Sequence, residues 1–315
     1  MPSVDVVVPC YKYGRFLRAC VESVLSQDIE QLRVIIIDNA STDDSVAVAR
    51  DLAREDKRVE IVVHERNLGP HASFNEGIDL ATADYVMVLC ADDILSPGSL
   101  RRATTIMEQH PEVAFAHGTE IYWRPHEPLP DLSRVEDASW HIQSGREFLL
   151  DRCRRPEHSL AFGMILVRTL VQKAAGYYRP SLPHSDDFEM TLRLACLGSV
   201  AFTPAVQGIK RMHGDNRHQE TLVARWLTIA ETNAAMDSFF EHEGKSLHDW
   251  PRLRLLAQRR LCERAYWCGV KELVRGRKNA FNFFKLAYRL DPRVALVPPL
   301  GYLARFDWSA LSFRN

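Results

Sequence analysis

Apolar positions follow two alternating rhythms over roughly the first 120 residues. Short β-branched runs, Val4–Val8, Val34–Ile37, Val59–Val63 and Tyr85–Leu89, are separated by stretches with helical spacing. Phe16, Leu17, Cys20, Val21, Val24 and Leu25 define the first helix, and Val46, Val48, Ala49 and Leu52 the second. A third helix is predicted over Gly69–Leu80, and a fourth starts at Ser96-Pro97-Gly98. Continuous apolar strands alternating with amphipathic helices predict an α/β fold, a mostly parallel sheet flanked by helices on both faces. The stretch from about 120 to 215 is irregular and proline-rich, with one helix opening at Asp186-Asp187. From about 220 onward the pattern is helical, including the amphipathic Ala280–Ala287 stretch closed by Asp291-Pro292.

In open parallel sheets, ligands bind beyond the carboxyl ends of the strands. The sequence places polar residues there. Strand one runs into Pro9-Cys10-Tyr11, strand two into Asp38-Asn39-Ala40-Ser41, strand three into His64-Glu65-Arg66-Asn67, and strand four into Asp92-Asp93. No glycine-rich phosphate loop follows strand one. A phosphate bound here therefore calls for another partner. A divalent cation on carboxylates suits that task, because Mg²⁺ and Mn²⁺ take oxygen ligands. The pair Asp92-Asp93 fits this role and fits equally the cap of a following helix. Asp186-Asp187 at a helix start likewise reads as a cap or as a reactive carboxylate.

Composition narrows the picture. The 315 residues are 46% hydrophobic, enough for one large core with a helical appendage. A net charge of -1 gives no reason to expect nucleic acid as a partner. Seven cysteines without any CxxC spacing argue against a zinc site or disulfide framework and for a reducing, cytoplasmic setting. No signal peptide and no uninterrupted apolar span are read. Lys271, Arg275, Arg277, Lys278, Lys285 and Arg289 interleave with apolar residues, a pattern suited to solvated helices or to peripheral contact with a membrane surface.

Several ordered blocks then carry a resemblance. They are Val-Val-Pro-Cys-Tyr-Lys-Tyr-Gly-Arg-Phe-Leu, Ile-Ile-Asp-Asn-Ala-Ser-Thr-Asp-Asp-Ser, Asn-Leu-Gly-Pro, Ala-Asp-Asp, Ser-Asp-Asp-Phe-Glu-Met-Thr-Leu-Arg-Leu, and Arg211-Met212-His213-Gly214-Asp215-Asn216. Together, from residue 4 to about 217, they resemble glycosyltransferase family 2, with its GT-A, Rossmann-like fold. The resemblance implies an inverting transfer from a nucleotide-diphosphate sugar, UDP-sugars favoured, to a glycan or lipid-linked acceptor in cell-surface polysaccharide or lipopolysaccharide assembly. It implies donor contacts from Pro9, Tyr11, Asp38, Asn67, Gly69, Ala91 and Asp92. It implies Mn²⁺ or Mg²⁺ on Asp92 with help from His213, and Asp187 as general base. Asp186, His184 and Trp123 stand as acceptor-side residues.

The sequence departs from the family pattern at two positions. Cys90 stands at the first aspartate of the DxD motif, and Asp186 where a glutamate is usual. A QxxRW motif is absent, which suits single additions rather than processive synthesis. The expected organisation is a GT-A domain over 1–217, with a donor half (1–118) and an acceptor half (119–217), and a helical region over 218–315. The competing readings are a nucleotidyltransferase, which lacks here a basic, glycine-rich loop after strand one, and a non-catalytic nucleotide-sugar or glycan-binding protein, for which Cys90 is the main argument.

Overall fold

The computed structural model describes residues 2–124, 126–128, 130–132, 139–156, 164–214 and 225–301. It divides into two compact units: residues 1–148 with 159–216, and residues 149–158 with 217–315.

The first unit carries the sheet. Strands β1 (Ser3–Cys10), β2 (Gln31–Asp38), β3 (Val59–Val63) and β4 (Tyr85–Val88) are the predicted apolar runs. Further strands are β5 (Ile94–Leu95), β6 (Val113–Trp123), β7 (His141–Gln143), β8 (Leu166–Arg168) and β9 (Ser199–Arg211). The order is β3-β2-β1-β4-β8-β6-β9-β5, with β7 also on β9. Strands β1 to β4 pair in parallel, as do β6 and β9; β8 lies antiparallel between β4 and β6, and β5 and β7 lie antiparallel to β9. Six of the nine strands thus share one direction.

The sheet is buried on both faces, so β1 and β2 tolerate unbroken Val and Ile. Val4, Val6 and Val8 face one layer, formed by α1 (Gly14–Leu25), α2 (Ser45–Glu55) and α4 (Ser99–Gln109) through Leu17, Cys20, Val21, Leu52, Leu100 and Met107. On the other face, α3 (Pro70–Leu80) approaches closely at Gly77, where a Cβ would come within 2.1 Å of Val7. After α5 (Gly145–Arg154), helices α6 (Thr169–Ala175) and α7 (Asp186–Ala195) cover the rest of that face over Val86, Val88 and Val167.

Several boundaries differ from the sequence reading. The fourth helix begins at Ser99, not at Ser96, because Ile94-Leu95 pairs with Ile209 and Gly208 as β5 and Gly98 takes a left-handed conformation before the helix. Asp92-Asp93 therefore caps no helix. Gly69 precedes α3 rather than opening it, and Pro70 takes the first position, where its missing N–H costs nothing. Glu120, Tyr122 and Trp123 lie inside β6, held by pairing to β9 through Trp123 opposite Arg211.

Asp5 anchors the amino ends of the strands. Its buried carboxylate accepts two bonds of 2.8 Å from Arg33 and bonds from the Thr82 and Ala83 N–H groups at 2.7 and 2.9 Å. Burial pushes its pKa up, but Arg33 and the two amides outweigh it and leave the value lowered. Its stabilisation is complete above the unfolded carboxylate value of about 3.9 and is lost as pH falls through the lowered folded value. Urea titrations of Asp5→Asn are therefore expected to show a flatter acid limb than the parent below about pH 5.

The second unit is helical: α8 (Arg225–Glu241), α9 (Trp250–Val274) and α10 (Ala280–Leu290). Its core joins Ile229, Leu261, Cys262, Ala265, Phe283, Leu286, Ala287 and Leu290.

Candidate active site

The chain leaves β1 for β2 and β3 on one side, then returns to β4 on the other. This reversal makes β1/β4 the switch point at which an open sheet forms its crevice. Three groups of the predicted residues gather at the carboxyl ends of the strands.

The first group follows β1, β2 and β3. Asp38 is fully buried; its Oδ1 accepts the Ser41 N–H at 2.8 Å, and its Oδ2 is buried with no hydrogen-bond partner among the described residues. An orphaned carboxylate oxygen is costly to bury, so it marks a place where an N–H or O–H donor belongs. Asn39 builds the neighbouring loop. Its Nδ2 donates to Asn67 Oδ1 (3.0 Å) and to the Gly69 carbonyl (3.1 Å), while its Oδ1 accepts the Leu68 N–H and meets His64 Nδ1, both at 2.9 Å. Gly69, at φ 84° and ψ 162°, occupies backbone space that is essentially glycine-only. Tyr11 is 40% exposed beyond the half-buried Pro9, and hydrogen bonding to Asn67 lowers its phenol below the usual range. Lys12 and Ala40 both have positive φ, 59° and 60°, and the Lys12 N–H donates to Ser41 Oγ at 2.8 Å. Such left-handed non-glycine residues each cost on the order of 1–3 kcal/mol and concentrate at ligand loops.

The second group follows β4. Cys90, Asp92 and Asp93 bring a thiol and two carboxylates within 4.8 Å of one another, beside the buried Ala91. His213 Nε2 lies 3.0 Å from Asp92 Oδ2, and both side chains are buried. The imidazole is held by Phe16 (ring centroids 4.6 Å apart) and Tyr13 (5.4 Å). Arg211 lies over Phe16 at 4.6 Å and over Trp123 at 5.5 Å, and its N–H reaches Asp93 Oδ1 at 3.2 Å. Trp123 is thereby tied to the Asp92 cluster. Burial, and then the neighbouring Asp92, push the Asp93 carboxyl well above the usual carboxylate range. Two crowded carboxylates with an imidazole and a thiol form a donor set that a divalent cation would relieve, so the residues fit a metal. The residues Asp215 and Asn216 of the same sequence block lie outside the described residues.

The third group stands at the head of α7. Ser185 precedes the helix, and Asp187 Oδ1 accepts the Phe188 N–H at 2.7 Å. Asp186 is buried, 2.9 Å from His71 Nε2 on α3. His184 is half-buried one residue before Ser185. Asp187 lines a small cleft with Val86, Val88, Tyr178 and Met190. The Tyr178 phenol is raised first by burial, then by Asp186 and Asp187, and also by Cys90. Behind the helix, the fully buried Glu189 pairs with Arg179 and, at 2.8 Å, with Arg193. Arg193 also donates to the Ala175 carbonyl and, at 2.8 Å, to that of Tyr177.

The sequence reading did not single out Asn39, Phe16, His71, Tyr178 or Arg211 as site residues. Asn39 and Arg211 carried a signal, one at a strand end and one inside a quoted block. Phe16 reads locally as a core position, and His71 and Tyr178 had no local signal.

The fold is of the GT-A type. The chain belongs to glycosyl transferase family 2, whose model matches residues 5–168. It is 30% identical over 240 residues to an uncharacterized glycosyltransferase of Nostoc sp., covering 74% of this chain and 72% of that one. It is also 30% identical over 122 residues to an uncharacterized glycosyltransferase of Haemophilus influenzae, covering 39% of this chain and spanning about half, 48%, of that relative. Among solved structures, its fold matches S. aureus TarS 1-349 in complex with UDP-GlcNAc (TM-score 0.59, 15% identity, 91% of each chain). It also matches the mannosyltransferase PcManGT from Pyrobaculum calidifontis in complex with GDP-Man and Mn²⁺ (TM-score 0.59, 16% identity, 100% of this chain and 81% of that one).

Proposed function

We propose that this chain transfers a sugar, with inversion, from a nucleotide-diphosphate sugar to a hydroxyl of a glycan or lipid-linked acceptor, at the cytoplasmic side of a membrane. The observation that carries this reading is the separation of two acidic centres. Asp92, paired with His213, follows β4, whereas Asp187 heads α7, so the two acidic centres come from different elements of the fold. Inverting displacement needs such a division, with the base on the acceptor side of the anomeric carbon and charge stabilisation on the leaving-group side.

In this reading, residues 1–118 receive the donor and 119–217 the acceptor. Asp38 offers its orphaned oxygen to a base N–H, as uracil would supply, and Pro9, Tyr11, Asn67, Gly69 and Ala91 shape the nucleotide pocket. Asp92 and His213 hold Mn²⁺ or Mg²⁺, with Cys90 and Asp93 beside them. When bound, the cation stabilises the charge that grows on the departing diphosphate. Asp187 accepts the acceptor hydroxyl proton as that oxygen bonds to the anomeric carbon. The bond from that carbon to the diphosphate oxygen breaks, and its electron pair leaves with the nucleoside diphosphate. Asp186, His184 and Trp123 are assigned to the acceptor side. The cocrystallised UDP-GlcNAc of the TarS structure and the GDP-Man and Mn²⁺ of PcManGT support this donor class.

The test is a panel of nucleotide sugars with Mn²⁺, following nucleoside diphosphate release. Release with one donor is the expected result; pyrophosphate as product would overturn the reading in favour of nucleotidyl transfer. His213→Ala is expected to raise the half-activating Mn²⁺ concentration by at least about 10–100-fold, the loss caused even by removing a group that only orients a metal ligand. An unchanged Mn²⁺ titration would remove His213 from the metal site.

A further inference from the structure

Helix α10 has one face for the core and another with no counterpart among the described residues. Phe283, Leu286, Ala287 and Leu290 pack inward with Leu261 and Ala265 of α9. Phe281 (76% exposed) and Tyr288 (54%) face out, with Lys285 between them on the same stripe at i, i+4 and i+7 and Arg289 alongside. Exposed apolar residues continue at both ends of the helix. Leu273 and Val274 close α9, and Leu296, Val297 and Leu300 follow α10.

Charge is concentrated on the same stretch. Residues 271 to 301 hold seven Lys and Arg against two acidic residues, in a chain whose net charge is -1. Both acids are already engaged, Glu272 with Arg275 and Arg277, and Asp291 with Arg293. Lys271, Lys278, Lys285 and Arg289 form no ion pair among the described residues.

A protein-protein interface concentrates its apolar residues at the centre and depletes lysine there. Here Lys285 sits between two exposed aromatics, an arrangement that suits the boundary between headgroups and acyl chains. There an aromatic ring enters the interface and a long basic side chain reaches back to phosphate. No helix among the described residues is long and apolar enough to cross a membrane, so the face would lie on the surface rather than span it.

We propose that the outer face of α10, with the apolar residues flanking it, docks this chain onto an anionic lipid bilayer. Basic side chains engage the headgroups, and Phe281 and Tyr288 enter the interface. The inference concerns the helical unit alone and is independent of the transfer chemistry. Its test needs no turnover, so its failure would leave the transferase reading standing.

The experiment is co-sedimentation of the full chain with vesicles of phosphatidylcholine, alone or mixed with phosphatidylglycerol. Binding is expected only with the mixed vesicles, and it should weaken as salt is raised. Removing two charges with Lys285→Gln and Arg289→Gln should weaken it about 30-fold, at about fivefold per basic residue near an anionic surface. Phe281→Ser with Tyr288→Ser should weaken it while leaving the salt dependence in place. All four side chains are exposed, so melting temperatures should match the parent and separate lost docking from lost folding. Equal sedimentation with both vesicle types, or binding that neither pair of substitutions alters, would overturn the proposal. So would self-association abolished by Phe281→Ser without any vesicle binding, which would assign the face to a second copy.

Discussion

Asp187→Asn is expected to lower the rate of glycosyl transfer by about 10²–10⁴-fold, the range contributed by a positioned general base. Asparagine keeps the shape and the bond to the Phe188 N–H but cannot take a proton. Donor affinity should stay within about twofold of the parent, because the nucleotide contacts proposed above are at Asp38, Asn67 and Asp92 rather than on α7. Nucleoside diphosphate release under saturating donor and acceptor, paired with calorimetric titration of the nucleotide, separates the two quantities. A variant that retains full transfer would dismiss Asp187 as the base. A variant that loses donor binding in proportion would make its role one of positioning.

Arg193→Met is expected to destabilise the first unit by about 3–5 kcal/mol, the cost of breaking a buried ion pair from one side. Glu189 would stay fully buried without the charge of Arg193, and the Ala175 and Tyr177 carbonyls would lose that donor. The double change Glu189→Leu with Arg193→Met should cost clearly less than the sum of the two single changes, because it removes the uncompensated charge along with its partner. Urea unfolding of the parent, both single variants and the double variant measures this coupling. Strict additivity would show that the pair does not act as a unit. The effect bears on function because Arg193 ties α7 to the segment carrying Tyr177 and Tyr178, and so fixes where Asp187 stands.

Strands β1 to β4 are legible in the chain because each is a buried run long enough to be apolar by itself. Strands β5, β7 and β8 are not. They contain two or three residues each and exist only through pairing, β5 and β7 on β9 and β8 between β4 and β6. The shift of the fourth helix from Ser96 to Ser99 has the same origin, since Ile94-Leu95 is drawn into the sheet by Ile209. Pairing between segments that lie 50 to 115 residues apart leaves no local trace of periodicity.

The site divides in the same way. Asp38, Asn67 and Asp92 are legible as candidates because a parallel sheet puts its chemistry at strand ends, and Asp187 and His213 through the family blocks. The groups that give these residues their surroundings could not. Phe16 looks like an ordinary apolar position of α1, yet its ring supports both His213 and Arg211. His71 is a single polar residue on α3, yet it meets Asp186 from a position 115 residues away in sequence.

The sequence alone determined the alternation of strands and helices, the carboxylates at strand ends and the family, since all of these depend on local order and composition. Only the tertiary structure decided that Asp92-Asp93 caps no helix and that Asp92 instead meets His213, that Asp38 keeps one buried oxygen without a partner among the described residues, and that α10 turns two aromatics and two basic residues outward. Burial, orphaned polar atoms and exposed faces are properties of how distant segments pack, and no single segment carries them.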